Sequence, residues 1–295
     1  MAVRAFNREV VGQARANSFI RAGIAVKRLT LFAKGNVDVH DSLHSCRIAG
    51  EVRWNGINDV IRGRIDAVVR LRHETWTRSD AVLEARGIVP REIAERQLQL
   101  GSYPAASQFG TALFDGNADA VVLSILGETA TALMTHKHAG FRFYPSDAEK
   151  WTQSDRDWLK TDFSRSDLLD VRESMENLKR IIDRIRTRTE VPILIYNVSS
   201  IVPGETVHCL QGLGEIYSTR CRRFNLGLAE LSEQTGISII DVDSIVGRAG
   251  ADRVKLDAMH LTADGYRLVA EEVARVLGDL GVMPAMEQPI CAPAS

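Results

Sequence analysis

Cysteine is scarce and scattered. The four residues Cys46, Cys209, Cys221 and Cys291 form no Cys-x-x-Cys pair, so neither a disulfide framework nor a thiolate zinc site is written into their spacing. The expectation is free thiols, with Cys46 read as a small buried hydrophobe. Long apolar runs are missing as well. None reaches the roughly 20 residues that span a bilayer, and charges interrupt Met1 to Glu9 too often for a signal-peptide core. A cytoplasmic protein with no membrane partner is the expectation. Nor is there an excess of one charge: Lys+Arg 37 against Asp+Glu 38 leaves a net charge of -1. That provides no basic field for nucleic acid. No Gly-x-Gly-x-x-Gly or phosphate-loop pattern follows the first apolar run, which weighs against a nucleotide-binding protein.

What is present fits a globular chain. Hydrophobic residues make up 45% and charged residues 25% of 295 positions, enough for one large α/β domain with extensions. Residues 1–25, rich in Arg and Ala, read as a helical extension. Strand-like runs recur at 26–33, 67–76, 119–127, 191–198 and 237–242. The run from Asp119 ends in Leu126-Gly127 and is continuous, as a strand buried on both faces should be. Between the runs, helical spacing appears: Trp54, Ile57, Val60 and Ile61; Val171, Met175, Leu178, Ile181, Ile182 and Ile185; residues 224–234; and Leu268, Val269, Val273, Val276 and Leu277. Alternating strands and helices predict a three-layer α/β/α sandwich around a mostly parallel, flavodoxin-like sheet, with its site at the carboxyl ends of the strands. The domain is bounded at 26–281, with 282–295 as a flexible tail. Residues 135–167, carrying Trp151 and Trp158, show no clear periodicity and are read as a lid insertion.

The most informative string is Asp257-x-x-His260-Leu261-Thr262-x-x-Gly265-Tyr266. Thr262 suits the N-cap of the closing helix, which holds His260 on the loop just before it. An Asp three residues earlier can reach the far nitrogen of the same imidazole, the base–orienter pair a nucleophile needs. Following a strand that ends in Asp241-Val242, this block resembles the last block of the SGNH (GDSL-type) hydrolases. The resemblance runs from about Val26 to Gly281, and only the Asp/His block is specific.

That resemblance implies an esterase or deacylase with a Ser-His-Asp triad, needing no cofactor or metal, and a small-molecule or carbohydrate acyl substrate. Asp257 and His260 take the last two roles. Two alignments compete for the nucleophile. His40-Asp41-Ser42-Leu43 keeps the family's Asp-Ser-Leu and makes Ser42 the nucleophile, the alignment favoured here. Gly35-Asn36-Val37 instead fits the strand end better and puts Val37 where the serine belongs. Gly101 and Thr129 are the candidate oxyanion donors, with Asn36 beside them as a substrate-binding residue. The family's Asn is absent from Gly127-Glu128-Thr129-Ala130, where Glu128 would repel an oxyanion if it pointed inward. The alternative is a catalytically silent or acyl-transferring SGNH-like module that binds a small-molecule or carbohydrate ligand. His40, His44 and Cys46, and the pair His136 and His138, lack metal-ligand spacing and are not read as metal sites.

Overall fold

The computed structural model describes residues 26–44, 46–48, 51–201 and 214–285. The extension expected at 1–25 and most of the tail, from 286 on, lie outside the described residues. Five strands form a parallel sheet: β1 (Lys27–Gly35), β2 (Ala67–Thr75), β3 (Ala120–Ser124), β4 (Ile193–Tyr196) and β5 (Ser238–Ile240), in the spatial order β5-β4-β3-β1-β2. That is the flavodoxin-like order, and it reverses direction between β1 and β3. Gly35 pairs with Thr75, and Lys34 pairs with Leu123. The carboxyl ends of β1, β2 and β3 therefore finish level, and a crevice opens where the order reverses.

The period-two alternation of the strands divides the core. Leu29, Leu31 and Ala33 of β1 face one layer together with Val69, Val122, Leu194 and Ile240. That layer is closed by helix α1 (Val37–Leu43), the short helix Ile57–Ile61, the helix Val242–Ala249 and the closing helix Ala263–Asp279. Phe32, Val121, Leu123, Ile193 and Ile195 face the opposite layer. There they meet Val82 of α2 (Ser79–Glu84), Leu178, Ile181, Ile182 and Ile185 of the helix Val171–Arg186, and Phe224, Leu228 and Leu231 of the helix Tyr217–Thr235. The three-layer α/β/α sandwich expected from the sequence is what the chain forms. No described helix is long and apolar enough to cross a membrane.

Two segments depart from expectation. Residues 135–167 are not without regular structure. With Met134 they supply a three-stranded antiparallel sheet of Met134–His136, Arg142–Phe143 and Phe163–Arg165, with the helix Gln153–Asp162 beside it. Trp151, Trp158, Phe143 and Phe163 join Ile93, Leu100 and Phe109 in a separate small core. The strands are only two or three residues long, too short to register as alternation in the sequence. At the other end, Met283 is buried against the closing helix, and the Val282 carbonyl accepts from Lys27 Nζ at 2.6 Å. The first residues of the expected tail are therefore tied to the domain.

Candidate active site

The turn from β1 into α1 is the first element of the site. A Cβ on Gly35 would meet Val39 Cγ2 at 2.3 Å, so only glycine lets the strand turn this tightly into the helix. Asn36 occupies the N-cap but makes no side-chain capping bond, and its Oδ1 is buried without a partner. Val37 is then the first helical residue. Helical spacing sends Asp38 and Ser42, four apart, to the inner face.

Asp38 is buried and accepts from Ser124 Oγ at the end of β3, while its Oδ1 has no partner. Burial pushes its carboxyl above the usual range, against the pull of the Ser124 bond and nearby backbone amides. Ser42 is fully buried. Its hydroxyl donates to the Asp38 carbonyl at 2.6 Å and shares a hydrogen bond with the Tyr196 hydroxyl at 3.1 Å. It lies on the core side of α1, away from the cleft, so the Asp-Ser-Leu alignment does not bring Ser42 to His260. The physical reason is that residues 37–43, read in sequence as a turn and loop, are already helical.

The second element is the loop before the closing helix. Asp257 Oδ1 accepts the amides of Met259 and His260, both at 2.8 Å. Its Oδ2 lies 2.8 Å from His260 Nδ1. Burial would raise the Asp257 carboxyl, but these amides and the imidazole outweigh it and hold the group below its ordinary value. Thr262 caps the closing helix by accepting from the Gly265 amide at 3.2 Å. Lys255 Nζ donates to the carbonyls of Ala258 and Ile201 at 3.1 and 2.6 Å, clamping the loop from below. With Nδ1 directed at the carboxylate, Nε2 is left as the imidazole's basic atom.

These elements meet at a cleft of about 740 Å³ over the ends of β1, β2 and β3. Asn36, Val37, His40 and Asp41 line it from the first turn, and His73 and Thr75 from the end of β2. Ser102 and Tyr103 come from the turn before the short helix Ala105–Gln108, and Tyr144 from just past the strand Arg142–Phe143; together with the small antiparallel sheet these form a capping region. Leu126, Ala130 and Thr131 come from beyond β3, and Met259 and His260 from the Asp/His loop. The histidines form a packed wall: His40 stacks on His44 with centroids 5.1 Å apart and meets His73 edge-on at 5.2 Å. His40 Nδ1 lies 2.7 Å from Asp41 Oδ1. Burial first, then the neighbouring His40, depresses the His73 pKa to about 4. Among the described residues no group of three or more His, Cys, Asp or Glu is arranged to hold a metal ion.

Of the predicted site residues, the structure brings together Asp257, His260 and Asn36. Gly101 sits just before cleft-lining Ser102, with φ +51, and a Cβ there would meet Asp147 Oδ2 at 2.5 Å. Thr129 is buried, with its hydroxyl donating to the Leu126 carbonyl at 2.8 Å and bonded to the Tyr217 hydroxyl at 3.1 Å. It cannot serve an oxyanion in the cleft. Glu128 also points away, into a nest of Trp76, Ser79 and Ser174 donors. His136 uses Nδ1 to accept the Ala139 amide at 3.0 Å, a turn-stabilising role. His73, Thr75, Ser102, Tyr103 and Tyr144 were missed by sequence reasoning. Only His73 and Thr75 carried a signal, as polar residues at the carboxyl end of a predicted strand.

No family model matches the chain, and no curated protein matches it. Among solved structures, the chain is similar to a member of the lipolytic G-D-S-L family from Veillonella parvula, at 11% identity and TM-score 0.42 over 84% of this chain and 97% of that one. It is also similar to an α/β hydrolase from the metagenome of Lake Arreo, Spain, at 11% identity and TM-score 0.46 over 87% and 97%. A catalytic mutant of an acetylxylan esterase from Geobacillus stearothermophilus matches at 9% identity and TM-score 0.46 over 88% and 97%. Likeness this distant carries no argument about chemistry, which rests on the geometry of the cleft.

Proposed function

We propose that the chain is an SGNH-type hydrolase that removes an acyl group from an ester or amide of a small molecule or carbohydrate. The observation that supports this most is the Asp257–His260 pair, with Nδ1 held on the carboxylate and the ring lining a cleft at the sheet's switch point. A carboxylate that orients an imidazole and stabilises its protonated form is the arrangement of a general base in acyl transfer. The mixed lining suits an uncharged substrate with hydroxyl and apolar parts: among the described lining residues none is Lys or Arg, Val37, Leu126 and Met259 are apolar, and Tyr103 and Tyr144 place their ring centroids 4.7 Å apart. The test is hydrolysis of p-nitrophenyl acetate and of acetylated sugars by wild type and His260→Ala. The expected loss is about 10²-fold or more. Equal rates in the two proteins would refute the proposal.

A second reading is a silent binding module, and one observation favours it. Val37 stands where the strand-following nucleophile belongs, and Ser42 is buried. That reading predicts a ligand-induced rise in melting temperature with no turnover of any acylated sugar.

A further inference from the structure

We infer that the attacking oxygen in this cleft comes from water or from a hydroxyl of a second substrate, not from the protein. This rests on the hydrolase reading and adds to it a mechanism without an acyl-enzyme. Among the described residues that line the cleft, none presents a hydroxyl bonded to the base. Val37, an alkyl side chain, opens α1 directly after the turn at Asn36 and lines the cleft shared with His260. Ser42 is shut into the core by the Asp38 carbonyl and the Tyr196 hydroxyl. Thr75 spends its hydroxyl on the Ser102 carbonyl at 2.5 Å. Ser102 is the one serine among the lining residues, and it is exposed on the capping side. Among the described residues, the side-chain partner of His260 is Asp257 alone, and no hydroxyl is bonded to its ring. A formed base–orienter pair with no protein hydroxyl bonded to the base is an arrangement that serves an external attacker.

The step balances without any cofactor. His260 Nε2 takes a proton from the attacking water or alcohol as its oxygen forms a bond to the acyl carbon. The carbonyl π pair moves onto oxygen, giving a tetrahedral oxyanion. When the carbonyl re-forms, the bond to the leaving oxygen or nitrogen breaks with its electron pair. The imidazolium returns the proton to that leaving group. Water yields the free acid, and an acceptor hydroxyl yields a transferred acyl group. Asn36 is the amide-bearing side chain among the described residues lining the cleft, beside Val37, and its NH₂ is the donor this step assigns to the oxyanion.

The experiment uses the full chain as wild type, V37S and V37S/H260A. Each is treated with a fluorophosphonate and analysed by intact mass and peptide mapping, alongside stopped-flow hydrolysis of p-nitrophenyl acetate. Wild type is expected to turn over with no burst and no adduct. V37S is expected to gain a single adduct at position 37 and a burst of one equivalent, both lost in V37S/H260A. A His260-dependent adduct on any wild-type serine, Ser102 included, would overturn the inference while leaving the hydrolase reading standing. A V37S protein that melts like wild type yet takes no adduct would also overturn it, because residue 37 would then not face the base. Absence of all wild-type turnover would defeat the hydrolase reading, and this inference with it.

Discussion

His73 Nε2 lies 3.1 Å from the carbonyl oxygen of Gly35. The bond joins the end of β2 to the turn that carries Asn36 and Val37, and it fixes the ring as the tautomer with its proton on Nε2. Because burial and then His40 depress the pKa to about 4, the folded state binds fewer protons than the unfolded chain between about pH 6.5 and 4. The stabilisation is therefore complete above the unfolded value and is lost as pH falls through that window. A loss on the order of 1–3 kcal/mol is expected between pH 7 and 4, after allowing for solvent screening. Urea unfolding of wild type and His73→Gln across that range checks it. The substitution should flatten the slope, and parallel curves would show that other groups set the acid sensitivity.

Asp257 is a surface carboxylate whose partners all lie within its own loop. Asp257→Asn should therefore fold and melt as wild type does, since substitutions of exposed residues usually stay within about 0.5 kcal/mol. Hydrolysis should fall by about 10²-fold or more, because Asn can present its NH₂ to Nδ1 and turn the basic nitrogen away from the substrate. An unchanged rate with an unchanged melting temperature would reduce Asp257 to a loop-shaping residue.

Much of the fold was written in the sequence, because strands buried on both faces give continuous apolar runs and helices on a sheet give one apolar stripe. The runs at 119–127 and 191–198 correspond to β3 and β4, trimmed at their ends. The Asp/His block was legible because all its parts are local: Asp257, His260 and the Thr262 cap lie within six residues. The nucleophile region was not. Seven residues of α1 are too few to show periodicity, and Ser42 is drawn inward by Tyr196, 154 positions away. The oxyanion candidate Thr129 failed for the same kind of reason, its partner Tyr217 being 88 positions distant. Met259 and the Tyr103–Tyr144 pair reach the cleft only through tertiary packing.

Glu128, which would repel an oxyanion if it pointed into the cleft, organises the opposite layer instead. Its Oε1 accepts from Trp76 Nε1 at 2.8 Å and the Ser79 amide at 2.7 Å, and its Oε2 accepts from the Ser79 and Ser174 hydroxyls, both at 2.8 Å. Burial pushes the carboxyl upward while these four donors pull it down. The N–H donors cannot become acceptors, but the two hydroxyls can rotate. Glu128→Gln should thus keep Oε1 in place, turn its NH₂ to the serines and cost about 1–2 kcal/mol. Glu128→Ala strands all four donors and should cost about 3–5 kcal/mol. Equal losses in denaturant unfolding would mean that the cavity, not the hydrogen bonding, sets the cost.

The capping region should behave as a fixed wall and not as a swinging lid. Arg78 is buried, pairs with Asp80 at 2.7 Å and donates to the Asp167 carbonyl at 2.7 Å. Arg142, on one of the cap's strands, reaches the same Asp80 at 2.7 Å. Swinging the cap away would uncouple this buried charge network, and stripping a partner from a buried charge costs about 3–5 kcal/mol. The tryptophans belong to that wall's interior. Trp151 stacks on Phe143 and donates its indole N–H to the Gln99 carbonyl at 2.8 Å. Trp151→Ala should lower stability by about 3–5 kcal/mol and reduce turnover of p-nitrophenyl acetate and of larger acyl sugars alike. Tyr144 is the residue of 135–167 that lines the cleft, against Tyr103. Tyr144→Ala should therefore raise KM several-fold for a sugar ester while leaving kcat on p-nitrophenyl acetate near wild type. Steady-state kinetics on both substrates, with melting temperatures for both variants, separate the two roles. A Trp151→Ala protein that melts normally but loses only the larger substrate would restore the lid, with Trp151 as its contact surface.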